Sequence, residues 1–164
     1  MRLLAALALT LSMLTAARAG AQELGLPVGS KAPAAAVQTL DGKVTNLSQW
    51  VGKTPVLIEF WASWCPNCKA LEPAIEAAHR AYGSRVKFVG VAVSVNQSPE
   101  RVRRHLARHE MPLEMVYDHD GEATSAYDVP ATSYVVILDR AGRVVYTGLG
   151  EKQDLVAALR KAGF

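Results

Sequence analysis

Val56-Leu57-Ile58-Glu59-Phe60-Trp61-Ala62-Ser63-Trp64-Cys65-Pro66-Asn67-Cys68-Lys69 decides the fold of this chain. Pro55 to Trp61 is a continuous apolar run, broken only by Glu59 and rich in β-branched and aromatic residues. That pattern predicts a central strand buried on both faces. From Pro66 to about Tyr82, Ala70, Leu71, Ala74, Ile75 and Ala78 recur at helical spacing. The only two cysteines, Cys65 and Cys68, therefore fall at a strand-to-helix junction. One thiol can be presented at the helix N-terminus with the other in the first turn behind it, which is the geometry of reversible disulfide chemistry.

Upstream of the strand, residues 22 to 34 hold Gly25, Pro27, Gly29 and Pro33 and read as an irregular lead-in. Val37 to Leu40, Asp41-Gly42 and Lys43 to Thr45 predict a hairpin around a D-G turn. One short helical turn is expected at Leu47 to Val51. Downstream, Arg85 to Val95 is a second long apolar strand. Ser98 and Pro99 then fit the N-cap and first position of a helix that ends before Pro112. A short strand (Leu113 to Tyr117), a short helix (Gly121 to Tyr127), two strands (Thr132 to Leu138 and Arg143 to Thr147) and a closing helix (Gln153 to Lys161) complete the chain. This order predicts an α/β sandwich: a central mixed β-sheet flanked by helices, with an N-terminal β-hairpin extension.

Of 164 residues, the first 21 read differently. Met1-Arg2 is positive, Leu3 to Leu14 is apolar, and Ala17-Arg18-Ala19 and Ala19-Gly20-Ala21 each fit an A-x-A site. We expect a signal peptide over residues 1–21, cleaved after Ala19 or Ala21, and one domain over 22–164. The apolar run falls short of the roughly 20 residues that span a bilayer, so no integral membrane anchor is expected. The leader takes Arg2 and Arg18 of the 18 Lys and Arg, leaving 16 against 15 acidic residues. A nearly neutral mature chain gives no reason to expect nucleic acid as a partner. In an oxidising compartment a structural disulfide usually closes a long loop. Two intervening residues close almost nothing, so the pair is expected to be there for its reactivity.

The F-W-A-x-W-C-x-x-C core, with Pro73 five residues after Cys68, resembles the active-site segment of thioredoxins. Leu40 to Ser48, Asp118-His119-Asp120-Gly121 and Asp139 to Val145 extend the resemblance to the exported TlpA/ResA-like branch, over most of residues 33 to 161. The resemblance implies a thioredoxin-like fold and a periplasmic thiol:disulfide oxidoreductase. It also implies a reductive role, for example in cytochrome c maturation, with protein thiol or disulfide clients and recharging by a membrane electron donor. The redox group is the Cys65–Cys68 disulfide itself, so no metal or organic cofactor is required, and the protein is expected to act as a monomer.

Cys65 is expected to attack, because a helix starting at Pro66 aims its free N–H groups and positive dipole end at that sulfur. Cys68 then resolves the mixed disulfide. Glu59 lies six residues before Cys65, where thioredoxins place a buried acid; burial would raise its pKa and suit it to accept the Cys68 proton. The other reading puts its carboxylate at a rim of the strand, in water. Trp64 is expected to offer an apolar docking face, with Pro66 and Asn67 at the same surface, and Trp61 to pack under a helix. Pro130, after Val129, is the candidate for the cis-proline that thioredoxins place opposite the disulfide. The distance from Pro130 to Asp139 is about three residues longer than the family pattern, so Ala131 or Ser133 are alternatives for that slot. Glu72, one position past the family's acidic site, reads as solvated helix surface. So does the basic face of Arg101, Arg103, Arg104 and Arg108.

The sequence argues against two other readings. Zinc bound by the two cysteines with His105 and His109 would leave the flanking tryptophans unexplained and needs an unusual spacing. A peroxiredoxin-like peroxidase needs Thr three residues before its cysteine and Pro four before that, and neither Cys65 nor Cys68 has them. A non-catalytic thiol-based metal carrier or a chaperone module of the same fold is the alternative from another class.

Overall fold

Every residue of the strand Val56–Trp61 (β3) is buried, as a continuous apolar run predicts for a strand covered on both faces. The computed structural model describes residues 24–164, and the predicted leader lies outside them. Around β3 the described chain runs β1 (Ala36–Gln38), β2 (Val44–Asn46), a short 3-10 turn (Leu47–Gln49), β3, α1 (Pro66–Tyr82), β4 (Lys87–Val93) and α2 (Pro99–Leu106). It continues through β5 (Glu114–Asp118), α3 (Glu122–Ala126), β6 (Tyr134–Leu138), β7 (Val144–Leu149) and α4 (Leu155–Lys161). The sheet order is β2-β1-β5-β4-β3-β6-β7. β3, β4 and β5 are parallel neighbours, and β6 and β7 are antiparallel. The thioredoxin-like α/β sandwich with a mixed sheet and an N-terminal hairpin is what the sequence predicts.

Alternate residues of β3 sort into two cores, as the two-residue period of a strand requires. Leu57 packs with Val135, Ile137 and Phe88 beneath Leu71, Ile75 and Ala78 of α1 and Leu155 and Leu159 of α4. Val56, Ile58 and Phe60 belong to the other cluster, with Val102 of α2 and Ala123 and Tyr127 around α3. Truncating a fully buried member such as Ile75 to alanine is expected to cost about 2–5 kcal/mol. The second cluster runs past the C-terminal end of β3 and takes in Cys65 and Cys68.

The hairpin closes as its sequence predicts: Gly42 takes φ +85°, and the Thr39 N–H donates to the Lys43 carbonyl at 2.9 Å. The lead-in is irregular, as its sequence predicts, and is tethered along one edge of the sheet. Its backbone runs along β7, with Gly29 N–H donating to Val144 O at 2.8 Å and Val144 N–H to Ser30 O at 2.9 Å. Gly25 passes so close to Tyr134 that an added Cβ would meet the phenol oxygen, and the Leu26 N–H donates to that oxygen at 2.9 Å. The hairpin and the lead-in thus cover opposite edges of the sheet, which removes two templates for edge pairing. Among the described residues no helix is long and apolar enough to cross a membrane.

Candidate active site

β3 ends at Trp61, and the turn that follows closes on itself: the Cys65 N–H donates to the Ala62 carbonyl at 3.0 Å. Cys65 is the N-cap of α1, with extended backbone dihedrals, and its sulfur accepts from the Cys68 N–H at 3.0 Å. Pro66 occupies the start of the helix, where its missing N–H costs little. Cys65 and Cys68 are joined as a disulfide with their Cα atoms 5.3 Å apart. Pro66 and Asn67 between them are exposed, while both sulfur-bearing residues are buried. A reduced Cys65 would face first-turn N–H groups and the positive end of a 17-residue helix, an environment that favours thiolate.

Glu59 lies on β3 between its partners Gly90 and Val135 and is buried, not at a rim. Neither carboxylate oxygen has a hydrogen-bond partner within the described chain. Burial is the main force raising its pKa to about 8, and the negative charge of Glu72 adds to it. Glu72 is half-buried, one helical turn beyond Cys68, and bears on Glu59 electrostatically. The raised value brings the carboxyl close to the range of an ordinary thiol, about 8.5.

Trp64 and Val95 form an apolar rim beside the disulfide, 41% and 59% exposed. The Trp64 indole N–H donates to the Val95 carbonyl at 2.8 Å. Trp61 is fully buried; its indole N–H contacts the Met115 sulfur at 2.9 Å, and its ring lies 5.5 Å from that of His105. His105 and His109 stack on each other at 4.6 Å. Among the described residues no three potential ligands gather around a metal-sized space, and the two histidines do not join the cysteines. Arg103 on the basic face of α2 reaches the Leu40 carbonyl and Glu100.

The cis-proline expectation is corrected. Among the described residues there are no cis peptide bonds, so Val129–Pro130 is trans, and Pro130 is exposed in the turn between α3 and β6. The Val129 N–H donates to Thr124 O at 3.0 Å, which spends this stretch on closing α3. At the mouth of β6, next to the end of β3, stands Ser133 instead. Its N–H donates to the Phe60 carbonyl at 2.8 Å. Ser133 is fully buried and takes φ +68°, a left-handed conformation that a non-glycine residue adopts at a cost. The surroundings hold it there: its carbonyl accepts from the Gly150 N–H at 3.1 Å and from the side chain of Gln153, also at 3.1 Å. Gln153 went unremarked in the sequence because nothing local marks a glutamine that reaches across two strands. Gln97 was missed for the same reason; its amide oxygen accepts from the Ser63 N–H at 2.9 Å.

The comparisons agree with this geometry. The Redoxin family model matches residues 27–162. The thioredoxin-like protein YneN of Bacillus subtilis is 28% identical over 137 residues, 82% of this chain and 79% of the relative. The thiol-disulfide oxidoreductase ResA of Geobacillus thermodenitrificans is 27% identical over 136 residues, covering 82% of this chain and 77% of ResA. Among solved structures, the Chlorobium tepidum protein assigned as a thiol:disulfide interchange protein DsbE is 27% identical. It superposes with a TM-score of 0.69 over 83% of this chain and 94% of its own. The thioredoxin domain of a Bacteroides vulgatus thiol-disulfide oxidoreductase has the same fold, with a TM-score of 0.71 at 23% identity over 84% of this chain and 98% of its own. With its Cys-x-x-Cys disulfide capping α1, the chain belongs to the Redoxin family and is a ResA/TlpA-like thiol:disulfide oxidoreductase.

Proposed function

We propose that this oxidoreductase works in the periplasm as a reductant of protein disulfides. The observation that carries the chemistry is the Cys65 sulfur at the N-cap of α1, with the buried acid Glu59 on the adjacent strand. The Cys65 thiolate attacks one sulfur of a client disulfide. That S–S bond breaks, a client thiolate leaves and takes a proton from solvent, and a mixed disulfide joins Cys65 to the client. Cys68 then loses its proton to the ionised fraction of Glu59, which passes it on to solvent, and attacks the Cys65 sulfur. The second client thiolate departs and is protonated, and the Cys65–Cys68 disulfide forms with two electrons delivered to the client. A membrane dithiol donor returns the site to its reduced form.

The leader reading over residues 1–21 supports an exported location. The neutral Asn67 supports the reductive direction, because it lacks the cationic character that would stabilise a thiolate and make the couple strongly oxidising. Trp64, with Pro66 and Asn67, supplies the exposed surface on which a client segment lies. No metal or organic cofactor takes part, and a monomer suffices. The reading is tested by insulin-disulfide reduction with a dithiol donor: wild type accelerates it, and Cys65→Ser is inert while still folded. Equal activity in Cys65→Ser would refute a thiol mechanism.

A further inference from the structure

We propose that Gln97 is a positioning residue for the redox reaction: it fixes the turn that carries Cys65 against the N-terminus of α1, and so sets how readily Cys68 closes the disulfide. β4 ends at Val93, and the chain reverses over Ser94 to Gln97, with the Gln97 N–H donating to the Ser94 carbonyl at 3.4 Å. Asn96 makes the reversal by taking φ +54°, a left-handed conformation that asparagine tolerates better than most residues. The turn sends the Gln97 side chain back over the end of β4 rather than outward.

Both ends of that side chain are used. Its Nε2 donates to the Val93 carbonyl at 2.6 Å, and its Oε1 accepts from the Ser63 N–H at 2.9 Å. Its own carbonyl accepts from the Tyr117 hydroxyl of β5 at 2.8 Å. The residue is thus anchored to two strands and grips the backbone of Ser63, two positions before Cys65. Trp64 is tied to the same loop through its indole N–H and the Val95 carbonyl at 2.8 Å. Ser63 and Trp64, two of the three residues between β3 and Cys65, therefore both hang from the β4–α2 connection, while Cys68 is fixed by the helix.

The consequence is chemical because disulfide closure depends on the effective concentration of one sulfur at the other. A turn that drifts moves Cys65 relative to Cys68 without touching either thiol. Losing the Gln97 bonds should weaken closure by about two- to tenfold, the range of one net hydrogen bond. The mixed-disulfide intermediate should persist longer by a similar factor.

The test is Gln97→Met, which keeps the length of the side chain and removes both polar ends. Wild type and variant are equilibrated with glutathione buffers, and dithiol, disulfide and glutathionylated forms are counted by mass after acid quench. We expect the closure constant to fall about two- to tenfold, glutathionylated protein to accumulate, and the Ser63 amide to lose hydrogen-exchange protection. Should the variant fold poorly, Tyr117→Phe releases Gln97 from behind and is expected to shift the closure constant in the same direction by a smaller factor. An unchanged closure constant and unchanged adduct level, in either folded variant, would overturn the proposal. So would a Ser63 amide that stays fully protected in Gln97→Met, because the grip would then not depend on Gln97.

Discussion

The backbone N–H of Cys68 donates to the sulfur of Cys65 at 3.0 Å, so the first thiol of the pair is the N-cap of the helix that carries the second. Capping and catalysis thus use the same atom. A first-turn donor that satisfies the helix end in the oxidised state is in place to stabilise a thiolate in the reduced state. Among the described residues no equivalent donor meets the sulfur of Cys68, which is buried one turn inside α1. The asymmetry favours the proposed order, with attack by Cys65 and resolution by Cys68.

Substitution at Cys65 should separate the two duties of its sulfur. Serine is a good N-cap and alanine a poor one, so in the reduced background Cys65→Ala is expected to be about 1 kcal/mol less stable than Cys65→Ser. Both should lack all disulfide-reducing activity. Urea unfolding gives the first comparison and insulin turbidity the second; equal stabilities would mean that the cap contributes nothing.

Cys68→Ser should stop the reaction halfway. With the resolving thiol gone, Cys65 can still form the mixed disulfide, and a covalent client adduct is expected to accumulate on non-reducing gels. Cys65→Ser under the same conditions should trap none. Adducts in Cys65→Ser would exchange the assigned roles.

Glu59 makes stability fall as pH rises. Its folded pKa of about 8 stands above the ordinary carboxylate value of 4.5. Below 4.5 both states are protonated and burial of the acid carries no ionic cost. Between 4.5 and about 8 the unfolded chain ionises while the folded one holds its proton, and stability is lost until the folded group also ionises. Glu59→Gln removes this dependence. Its stability relative to wild type is expected to grow across that window, by up to about 5 kcal/mol, and to level off above it. Urea titrations from pH 5 to 9 check the slope; a constant difference would mean the acid is not held protonated.

Glu72 should tune the same group from the helix. Its charge is the second cause of the Glu59 shift, so Glu72→Gln is expected to move the pH midpoint of mixed-disulfide resolution below about 8. Stopped-flow resolution rates against pH measure it. A midpoint that stays or rises would remove Glu72 from the electrostatics of the site.

The sheet and the Cys-x-x-Cys junction were legible because local signals carry them. A continuous apolar run, a helical period and a Pro at the first helical position place β3 and α1 without any tertiary knowledge. What escaped is long-range. The lead-in is glycine- and proline-rich, so it reads as irregular, yet its hydrogen bonds reach Gly142 and Val144, more than 100 positions away. Pro130 drew the cis-proline expectation because it is the proline of that region, and the spacing already offered Ser133 as an alternative; what no local signal shows is that Phe60, Gly150 and Gln153 hold Ser133 at the mouth of β6. Glu72 reads from the sequence as helix surface, and its charge bearing on Glu59 is a long-range effect that no local signal carries. Gln97 has no sequence signature, because its role comes from a turn that folds it back onto another segment.

The central claim is that the Cys65–Cys68 couple donates electrons, and its reduction potential measures this directly. Wild-type protein equilibrated with graded glutathione redox buffers is expected to remain a disulfide until the buffer is strongly reducing. That outcome puts its potential well below the roughly −200 mV poise of an oxidising folding compartment. A value near −120 mV, that of a strong oxidant, would contradict the account.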